Sequence, residues 1–494
     1  MKSKSGFIFL VALCLYLGLQ MPFLTVISKV WVDEPWYGGT AYNFSQFKGF
    51  TNENVVGMYG GDVIFGYPLM LGSFMRIFGG SLFTARLFSV LCGLLLLVIA
   101  RLILQELKVG LKGISAFYIL FILSSTVYIA FRTIRPEAVK IVFSSLSLLF
   151  LLKGIYKNPR YLFFSGASIA FASLCHPDEI MFFLSMTVIM VVLSFRRKTL
   201  YPALLFVIGG AFIALIFVLF LYGVKDMTIH DFYLYYGRRL SAYNGSMLGS
   251  FSLKAKNLFG EYALGIKRIY ILLFEVGIFA AGAFFFRRNK KILLLTVIGG
   301  GFFLLSFVFL ERIVTRGFIS IIFYSLLVYA LMIQENSKNK LRNKIVFFAG
   351  VFYLLNNVLA VGYLVARDMK NTPYSIVEKF IDERVEDRKK VLSHINYYFP
   401  LKNNELYNDY TIYKLTKAMS LDNLLQKDDI DYAVLSEKAL AGETGTSGRT
   451  EKKESVDDFN RFYYKANKYA HEKMKLLDTL ATKGYGTIYI YIRK

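Results

Sequence analysis

Apolar runs of about the length that spans a bilayer recur through the first three quarters of the chain. A transmembrane helix needs about 20 consecutive, mostly apolar residues. Eleven stretches approach this length: 7–28, 84–104, 112–131, 138–152, 161–175, 180–195, 201–223, 269–286, 292–310, 317–334 and 345–366. Two of them are short, so the count is good to about one. The chain is therefore predicted to be an all-α polytopic membrane protein with about 11 transmembrane helices.

The composition agrees with a non-aqueous solvent. Hydrophobic residues make up 55% of the 494 positions and charged residues 19%, whereas a soluble domain has nearer half and a quarter. The aromatic content of 17% excludes a disordered chain. The three cysteines, Cys14, Cys92 and Cys175, all lie in apolar runs. A disulfide framework and a cysteine-based zinc site are therefore unsupported.

The chain has a net charge of +24, and the excess of basic residues lies mainly in the loops between the apolar runs. With the N-terminus inside, the inner loops carry 19 basic residues against two acidic ones. The remaining 16 basic and 12 acidic residues before residue 367 are assigned to the outer side. This split satisfies the positive-inside rule. We expect a plasma or inner membrane protein with a cytoplasmic N-terminus and no nucleic-acid partner.

The chain is predicted to have two domains. Residues 1–366 form the membrane domain, and 367–494 form a small α/β domain that lies outside the cytoplasm. In this tail, alternation predicts strands and helical spacing predicts one helix. The strands are Lys390–Ile395, Asp431–Ser436 and Gly486–Arg493, and the helix is Asp457–Thr482.

Two outer segments, 29–83 and 224–268, are too long to be plain connectors. Long loops without a regular pattern are usually functional or disordered, and the aromatic residues here argue against disorder. We expect functional residues in both.

Two adjacent acids, Asp33 and Glu34, follow the first apolar run between the two tryptophans of the chain. A partly desolvated carboxylate at a membrane boundary suits general-base chemistry. The alternative is an interfacial tryptophan belt with incidental acids. Composition alone leaves both open.

Three further outer clusters contain charged residues. Arginines paired with a carboxylate can bind a phosphate, a metal or an acceptor hydroxyl, or simply face lipid head groups. A histidine beside acids can ligate a metal or form a plain turn. The clusters are Arg132, Arg135 and Glu137; His176, Asp178 and Glu179; and Glu311, Arg312 and Arg316.

The sequence contains no metalloprotease, nucleophile-elbow, P-loop or dinucleotide-binding motif. A transporter is expected to place ionisable groups near the midplane of the membrane. Glu275 is the one such group near the middle of a predicted span. The charged clusters all map to the outer face instead.

The order of these features resembles the GT-C membrane glycosyltransferases. Within them it is most similar to the protein O-mannosyltransferase and aminoarabinose-transferase branches, glycosyltransferase family 39. The resemblance covers about residues 1–366. It is carried by Asp33-Glu34, Gly66-Tyr67-Pro68-Leu69, Phe78-Gly79, Ala85-Arg86-Leu87, Arg135-Pro136-Glu137 and Arg316. One departure is Phe65-Gly66-Tyr67-Pro68, where the family's His-Lys-Pro-Pro supplies a phosphate-binding lysine.

The resemblance implies inverting transfer of a sugar from a polyprenyl-phosphate donor to a lipid, glycan or protein acceptor outside the cytoplasm. Asp33 would be the base, and Glu34 would orient the substrate or help to ligate a divalent cation. The carrier phosphate would bind Arg132, Arg135 and Arg316. The second acid, metal or acceptor site would use Glu137, His176 and Asp178. Contacts to sugar or lipid would come from Trp36, Tyr37, Tyr67, Tyr235 and Arg238.

Two other functions are consistent with the sequence. One is a ligase or polymerase of lipid-linked glycans, which would use a larger donor. The other is a non-enzymatic flippase or transporter with an exported accessory domain. A lipid-phosphate donor makes a nucleotide cofactor unnecessary, and the requirement for a divalent cation stays open.

Overall fold

The computed structural model describes residues 2–30, 33–56, 64–232, 269–309, 319–335, 340–408, 429–436 and 463–494, together with Ser252 and Ala255. The helices within them are α1 (Lys2–Gln20), α2 (Asp33–Ser45), α3 (Gly66–Phe78), α4 (Leu82–Glu106), α5 (Leu111–Ile122), α6 (Ser125–Ala130), α7 (Glu137–Tyr156), α8 (Tyr161–Cys175), α9 (Ile180–Arg197), α10 (Tyr201–Val224), α11 (Ile269–Phe285), α12 (Lys290–Phe309), α13 (Ile319–Gln334), α14 (Lys340–Asp368), α15 (Tyr374–Asp382) and α16 (463–473). The strands are β1 (Lys390–Ser393), β2 (Glu405–Asn408), β3 (Tyr432–Ser436), β4 (Met474–Thr482) and β5 (Gly486–Arg493).

Every predicted apolar run contains a helix. Within the described residues, six helices are long and apolar enough to cross a membrane by length and composition. They are Leu82–Glu106, Glu137–Tyr156, Pro177–Arg197, Tyr201–Val224, Lys290–Val308 and Lys340–Asp368. Five further apolar helices are shorter. The mostly helical, multi-pass character is therefore confirmed, while the count of 11 spans stays a prediction.

The first predicted span is too long. It was expected to cover 7–28, but α1 ends at Gln20. Pro22 lies two residues later, and proline disfavours helical backbone in the residue before it. Residues 21–28 form turns and bends instead, and we call residues 21–30 the turn segment.

The third predicted span, 112–131, is interrupted between α5 and α6. The Oδ1 atom of Asn357 accepts hydrogen bonds from the main-chain N–H and the hydroxyl of Ser125, at 2.8 and 2.9 Å. A buried polar side chain thus satisfies the amide that the break exposes, as a bilayer interior requires.

The chain divides into two compact units. The first contains Met1–Gln20, Ser89–Phe131 and Pro136–Val361. It is helical, and small residues allow close approach of its helices: a Cβ at Gly166 of α8 would collide with the carbonyl of Phe206 in α10.

The second unit contains Met21–Phe88, Arg132–Arg135 and Gly362–Lys494. Much of the predicted first outer loop therefore packs with the C-terminal sheet. Where the domains begin and end, predicted at residues 366 and 367, stays a prediction.

The sheet of the second unit has five strands in the order β2-β1-β3-β5-β4. The strands β2 and β3 are parallel to β1, whereas β5 is antiparallel to both β3 and β4. The apolar face of the sheet packs on α16 through Ala466 and Ala470, which are four residues apart on one helix face.

The first outer loop extends this sheet. The N–H of Val56 donates to the carbonyl of Leu406 at 3.0 Å, and the N–H of Leu406 donates to the carbonyl of Asn54 at 2.7 Å. Residues 54–56 therefore pair with β2 at the edge of the sheet. The loop also contains α2 and α3, so it is more regular than its sequence pattern indicated.

The predicted strands of the tail are confirmed, but the predicted helix Asp457–Thr482 is only partly correct. A helix covers 463–473, and Met474–Thr482 forms β4. Antiparallel pairing with β5 over this whole stretch outweighs its local helical spacing. The strand Glu405–Asn408 was not predicted, because four residues give little alternation to detect.

Candidate active site

The two predicted catalytic acids begin α2 and occupy different environments. Glu34 is completely buried and forms a bidentate ion pair with Arg86 of α4, which is also completely buried. The Nε–Oε2 distance is 2.9 Å and the Nη2–Oε1 distance is 2.7 Å. The N–H of Ile134 also donates to Oε2 of Glu34 at 3.1 Å. Both oxygens of Glu34 are thus engaged within the protein.

Asp33 is the accessible acid of the two. Its side chain is 36% exposed, and it pairs with Arg135, whose side chain is 11% exposed. A pair at this position faces solvent on one side and protein on the other. Of the two acid–arginine pairs described here, Asp33–Arg135 is therefore the partly exposed one.

Arg86 also holds the segment that precedes the acids. Its Nη1 group donates to the carbonyls of Leu24 and Ser28, at 2.8 and 3.1 Å. These carbonyls follow the end of α1 and have no helical partner of their own. One buried guanidinium thus joins the turn segment to Glu34.

Arg132 is placed differently from the prediction. It is buried, and its guanidinium donates to the carbonyls of Pro22 at 2.7 Å and Ile27 at 3.4 Å. A guanidinium committed to main-chain carbonyls has few donors left for a phosphate. Arg132 therefore supports the turn segment, and of the two adjacent arginines only Arg135 is partly exposed.

The second predicted group of acids belongs to the helical unit. Asp178 accepts a hydrogen bond from the buried Lys140 at 2.6 Å and contacts Nδ1 of His176. Glu179 accepts a hydrogen bond from the hydroxyl of Ser320 at 2.8 Å. Glu137 is buried one helical turn before Lys140. Lys140 thus lies among three acids, pairing with Asp178 and Glu179, while His176 contacts Asp178.

A metal site is not supported where the chain is described. No group of three His, Cys, Asp or Glu side chains there is arranged to hold a metal ion. The assignment of His176 and Asp178 to a metal or acceptor site stays a prediction, and Asp178 is engaged with Lys140 and His176.

The predicted aromatic contacts are partly brought together. Trp36 and Tyr37 lie on α2 and are half-buried. The ring of Tyr37 meets that of Tyr67 edge-on at 5.7 Å between centroids, and Tyr67 is buried. Three other predicted site residues, Arg316, Tyr235 and Arg238, lie outside the described residues.

Some residues of the site were not predicted. Arg86 was noted only as part of the Ala85-Arg86-Leu87 resemblance, and Lys140 was not singled out at all. A lone arginine or lysine inside an apolar run was the available signal, because such a charge is rarely left without a partner in a membrane.

Two side chains of α15, Glu378 and Tyr374, have raised pKa values. Burial raises the pKa of the Glu378 carboxyl to about 7, against the opposing effect of Lys402 and with a further rise from Asp382. Burial also raises the pKa of Tyr374 well above its ordinary value. The negative charges of Glu378 and Glu34 raise this pKa further. The start of α15 is therefore within electrostatic reach of Glu34.

The raised pKa of Glu378 predicts a pH-dependent stability. The unfolded chain loses the Glu378 proton near its ordinary pKa of 4.5, while the folded protein keeps it until about pH 7. The folded state binds more protons in this window, so the free energy of unfolding falls as pH rises from 4.5 to 7. We expect Glu378→Gln to remove this fall, raising the melting temperature at pH 8 but changing it little at pH 4.5. Thermal unfolding in detergent at both values checks it, with the exposed Glu472→Gln as control. Equal shifts at both values would contradict it.

Part of the chain matches a known protein family. Residues 64–222 match the family model described as dolichyl-phosphate-mannose-protein mannosyltransferase. A search of curated protein sequences finds no match.

Solved structures match the chain over nearly its whole length. One is ArnT from Cupriavidus metallidurans in the apo state (TM-score 0.59, 12% identity, 99% of this chain and 98% of that one). The same protein bound to undecaprenyl phosphate gives a TM-score of 0.58 at 11% identity, over 98% and 97% of the two chains. The oligosaccharyltransferase of Archaeoglobus fulgidus, tethered with an acceptor peptide, gives 0.55 at 11% identity, over 100% and 74%. The chain therefore has the fold of the GT-C membrane glycosyltransferases, its residues 64–222 match their O-mannosyltransferase branch, and the resemblance predicted from the sequence is confirmed.

Proposed function

We propose that this protein transfers a sugar from a polyprenyl-phosphate donor to an acceptor hydroxyl at the outer face of the membrane, with inversion at the anomeric carbon. The observation that carries the proposal is the contrast between the two acids. Glu34 is sequestered by Arg86, whereas Asp33 stays accessible beside Arg135. One acid is thus available for chemistry, and a cation for a phosphate lies directly next to it.

Asp33 is the general base. The acceptor oxygen forms a bond to the anomeric carbon, its proton passes to the Asp33 carboxylate, and the bond from carbon to the phosphate oxygen breaks. The phosphate leaves with the electron pair on the opposite face of the sugar, as inverting chemistry requires. Glu34 acts through Arg86 and the Ile134 amide to hold the start of α2.

Arg135 stabilises the departing phosphate. A guanidinium can bind a phosphate with two parallel hydrogen bonds. When it does so, its ion pair with Asp33 weakens, and the carboxylate is released to accept a proton. Donor binding would therefore activate the base, which links the two halves of the reaction through one arginine. Arg316, supplied by the sequence, is the second candidate for this phosphate.

Two similar structures support the substrate classes. ArnT was solved bound to undecaprenyl phosphate, and the archaeal oligosaccharyltransferase was solved with an acceptor peptide. A lipid-phosphate donor is the shared element that we carry over. The acceptor is a lipid, glycan or protein, and we assign the sugar and lipid contacts to Trp36, Tyr37 and Tyr67, whose ring meets that of Tyr37.

Substitution of Arg135 tests the phosphate assignment. We expect Arg135→Ala to lower turnover by about 10²–10³, because the charge that it stabilises develops only as the bond breaks. Arg135→Lys keeps the charge but loses the fork and should lose less. Turnover and donor KM are measured with lipid-linked sugars extracted from the producing cells, and binding is measured with undecaprenyl phosphate in micelles.

Arg493→Ala is the matched control, because Arg493 forms an exposed pair with Asp429 at 3.1 Å in the same unit. Parent turnover with unchanged donor KM in folded Arg135→Ala would show that Arg135 merely anchors lipid head groups.

The proposed orientation has its own test. An impermeant thiol reagent applied to intact cells should label Lys473→Cys in the tail but not Arg288→Cys in a predicted inner loop; both positions are exposed. Lysis should make Arg288→Cys reactive. The parent protein controls for Cys14, the exposed native cysteine. Labelling of Arg288→Cys alone in intact cells would invert the topology.

A further inference from the structure

We propose that the β4–β5 turn of the C-terminal sheet, Lys483–Gly486, positions the Asp33-Glu34 pair, with Tyr485 as the positioning residue. The inference rests on the proposed function of that pair. It gives the C-terminal sheet a direct part in the reaction instead of an accessory one.

The turn contacts the backbone just ahead of the acids. The N–H of Val30 donates to the hydroxyl oxygen of Tyr485 at 3.1 Å. The ammonium group of Lys29 donates to the carbonyl of Gly484. Val30 is three residues before Asp33 in the sequence, so we infer that this anchor helps to place the start of α2.

The shape of the turn depends on glycine. Gly484 has φ +108°, which L side chains rarely adopt. A Cβ there would lie 2.7 Å from Oδ1 of Asn371 and 3.2 Å from Cε of Lys29. The main chain of Thr372 brackets the turn, since its N–H donates to the carbonyl of Lys483 at 2.8 Å. The turn therefore has little freedom to move away from Lys29.

A second tyrosine completes the support. The N–H of Tyr374 donates to the carbonyl of Thr25 at 3.2 Å, and its hydroxyl donates to the carbonyl of Asn396 at 2.7 Å. Its ring meets the ring of Tyr485 at 6.0 Å between centroids. Arg86 binds neighbouring carbonyls of the same segment. The segment 24–30 is thus held by the buried arginine and by the two tyrosines.

The location of the turn in the sheet gives this arrangement its meaning. The parallel strands β1 and β3 have their carboxyl ends on the same side of the sheet. The β4–β5 turn lies on that side too, because β5 runs antiparallel to β3. Ligands of open α/β sheets bind outside the carboxyl ends of parallel strands. Here the hydroxyl of Ser436, the last residue of β3, donates to the carbonyl of Tyr485. The side of the sheet where such folds commonly bind a ligand is therefore occupied by the β4–β5 turn, which supports the acid pair.

The far end of α2 is tied to the same sheet. The hydroxyl of Tyr42 donates to Oδ1 of Asn403 at 2.8 Å, and residues 54–56 pair with β2. Catalytic groups need placement within about 0.5 Å. A helix with contacts to the C-terminal part of the chain just before its start and near its end meets this requirement better than a helix in a free loop.

The test measures the support directly by hydrogen exchange of the full-length protein in detergent. Tyr485→Phe removes the acceptor of the Val30 N–H while keeping the ring. We expect amide exchange in peptides covering 24–34 to rise by about two- to tenfold, as for loss of one hydrogen bond. Gly484→Ala should raise it further. Transfer from extracted lipid-linked sugars should show a lower kcat with unchanged donor KM, as expected for misplacement of the base.

Two controls match these variants. Tyr464→Phe makes the same change at an exposed tyrosine. Gly49→Ala adds a methyl group at φ +77°, where the space is open. Unchanged exchange in both folded Tyr485→Phe and Gly484→Ala would overturn the proposed support. Faster exchange with parent kcat would overturn the positioning role while leaving Asp33 in place as the base. Parent transfer by Asp33→Asn would instead overturn the function on which the inference rests.

Discussion

Transfer by Asp33→Asn should be lower than that of the parent protein by about 10²–10⁴, the usual contribution of a positioned general base. Asparagine has nearly the same shape but cannot accept the acceptor proton. The side chain is 36% exposed, and the amide oxygen of asparagine can still accept a hydrogen bond from Arg135, so the fold should be preserved. The measurement is the transfer rate with extracted lipid-linked sugars, together with mass spectrometry of cell-surface glycans and lipid carriers.

Asp429→Asn is the matched control. It removes the acid of another Asp–Arg pair in the same unit, one whose acid is 80% exposed, and such pairs contribute little to stability. A folded Asp33→Asn protein that transfers sugar at the parent rate would eliminate the general-base assignment. A flippase or transporter would instead show no sugar transfer even in the parent protein.

The second large effect concerns stability. Arg86→Met should lower the free energy of unfolding by about 3–5 kcal/mol, because it leaves the Glu34 carboxylate buried without its partner. The double variant Glu34→Leu/Arg86→Met removes both charges and should recover part of this loss. Thermal and denaturant unfolding in detergent measure both variants, and the double-mutant cycle gives their coupling.

Lys157→Met serves as the comparison for an exposed ion pair. Lys157 pairs with Glu106 at 2.6 Å, and its side chain is largely exposed, so a change within about 1 kcal/mol is expected. If Arg86→Met were no more destabilising than Lys157→Met, Glu34 would not depend on Arg86. Glu34 would then be available for the substrate contact that the sequence suggested.

The helices were predictable because the bilayer requires long apolar stretches, which the sequence displays directly. The strand Gly486–Arg493 was equally visible through its alternation. The strand Met474–Thr482 was not, because its identity depends on pairing with β5 and not on its own residues. The residue pattern of a segment thus predicts helices and strands that the segment's own residues determine. It misses a strand that forms only by pairing with a neighbouring strand.

The candidate site shows the same limit. The pair Asp33-Glu34 was visible as two acids at a membrane boundary, but nothing in two adjacent letters tells which one is sequestered. That distinction depends on Arg86, 52 residues away. Arg132 and Arg135 were equivalent by type and spacing. Only the path of residues 21–30 around Arg132 separates the buried arginine from the accessible one.

The pairing of residues 54–56 with β2 also protects the protein from self-association. Unpaired edge strands are templates for intermolecular β-pairing and aggregation, and here a segment of the first outer loop covers the β2 edge. A fragment limited to 367–494 would carry that edge uncovered. Studies of the tail in isolation would need to supply the missing segment as a peptide, which would bind by adding a strand to the sheet. The two distant parts of the chain are therefore best produced together, as one folding unit.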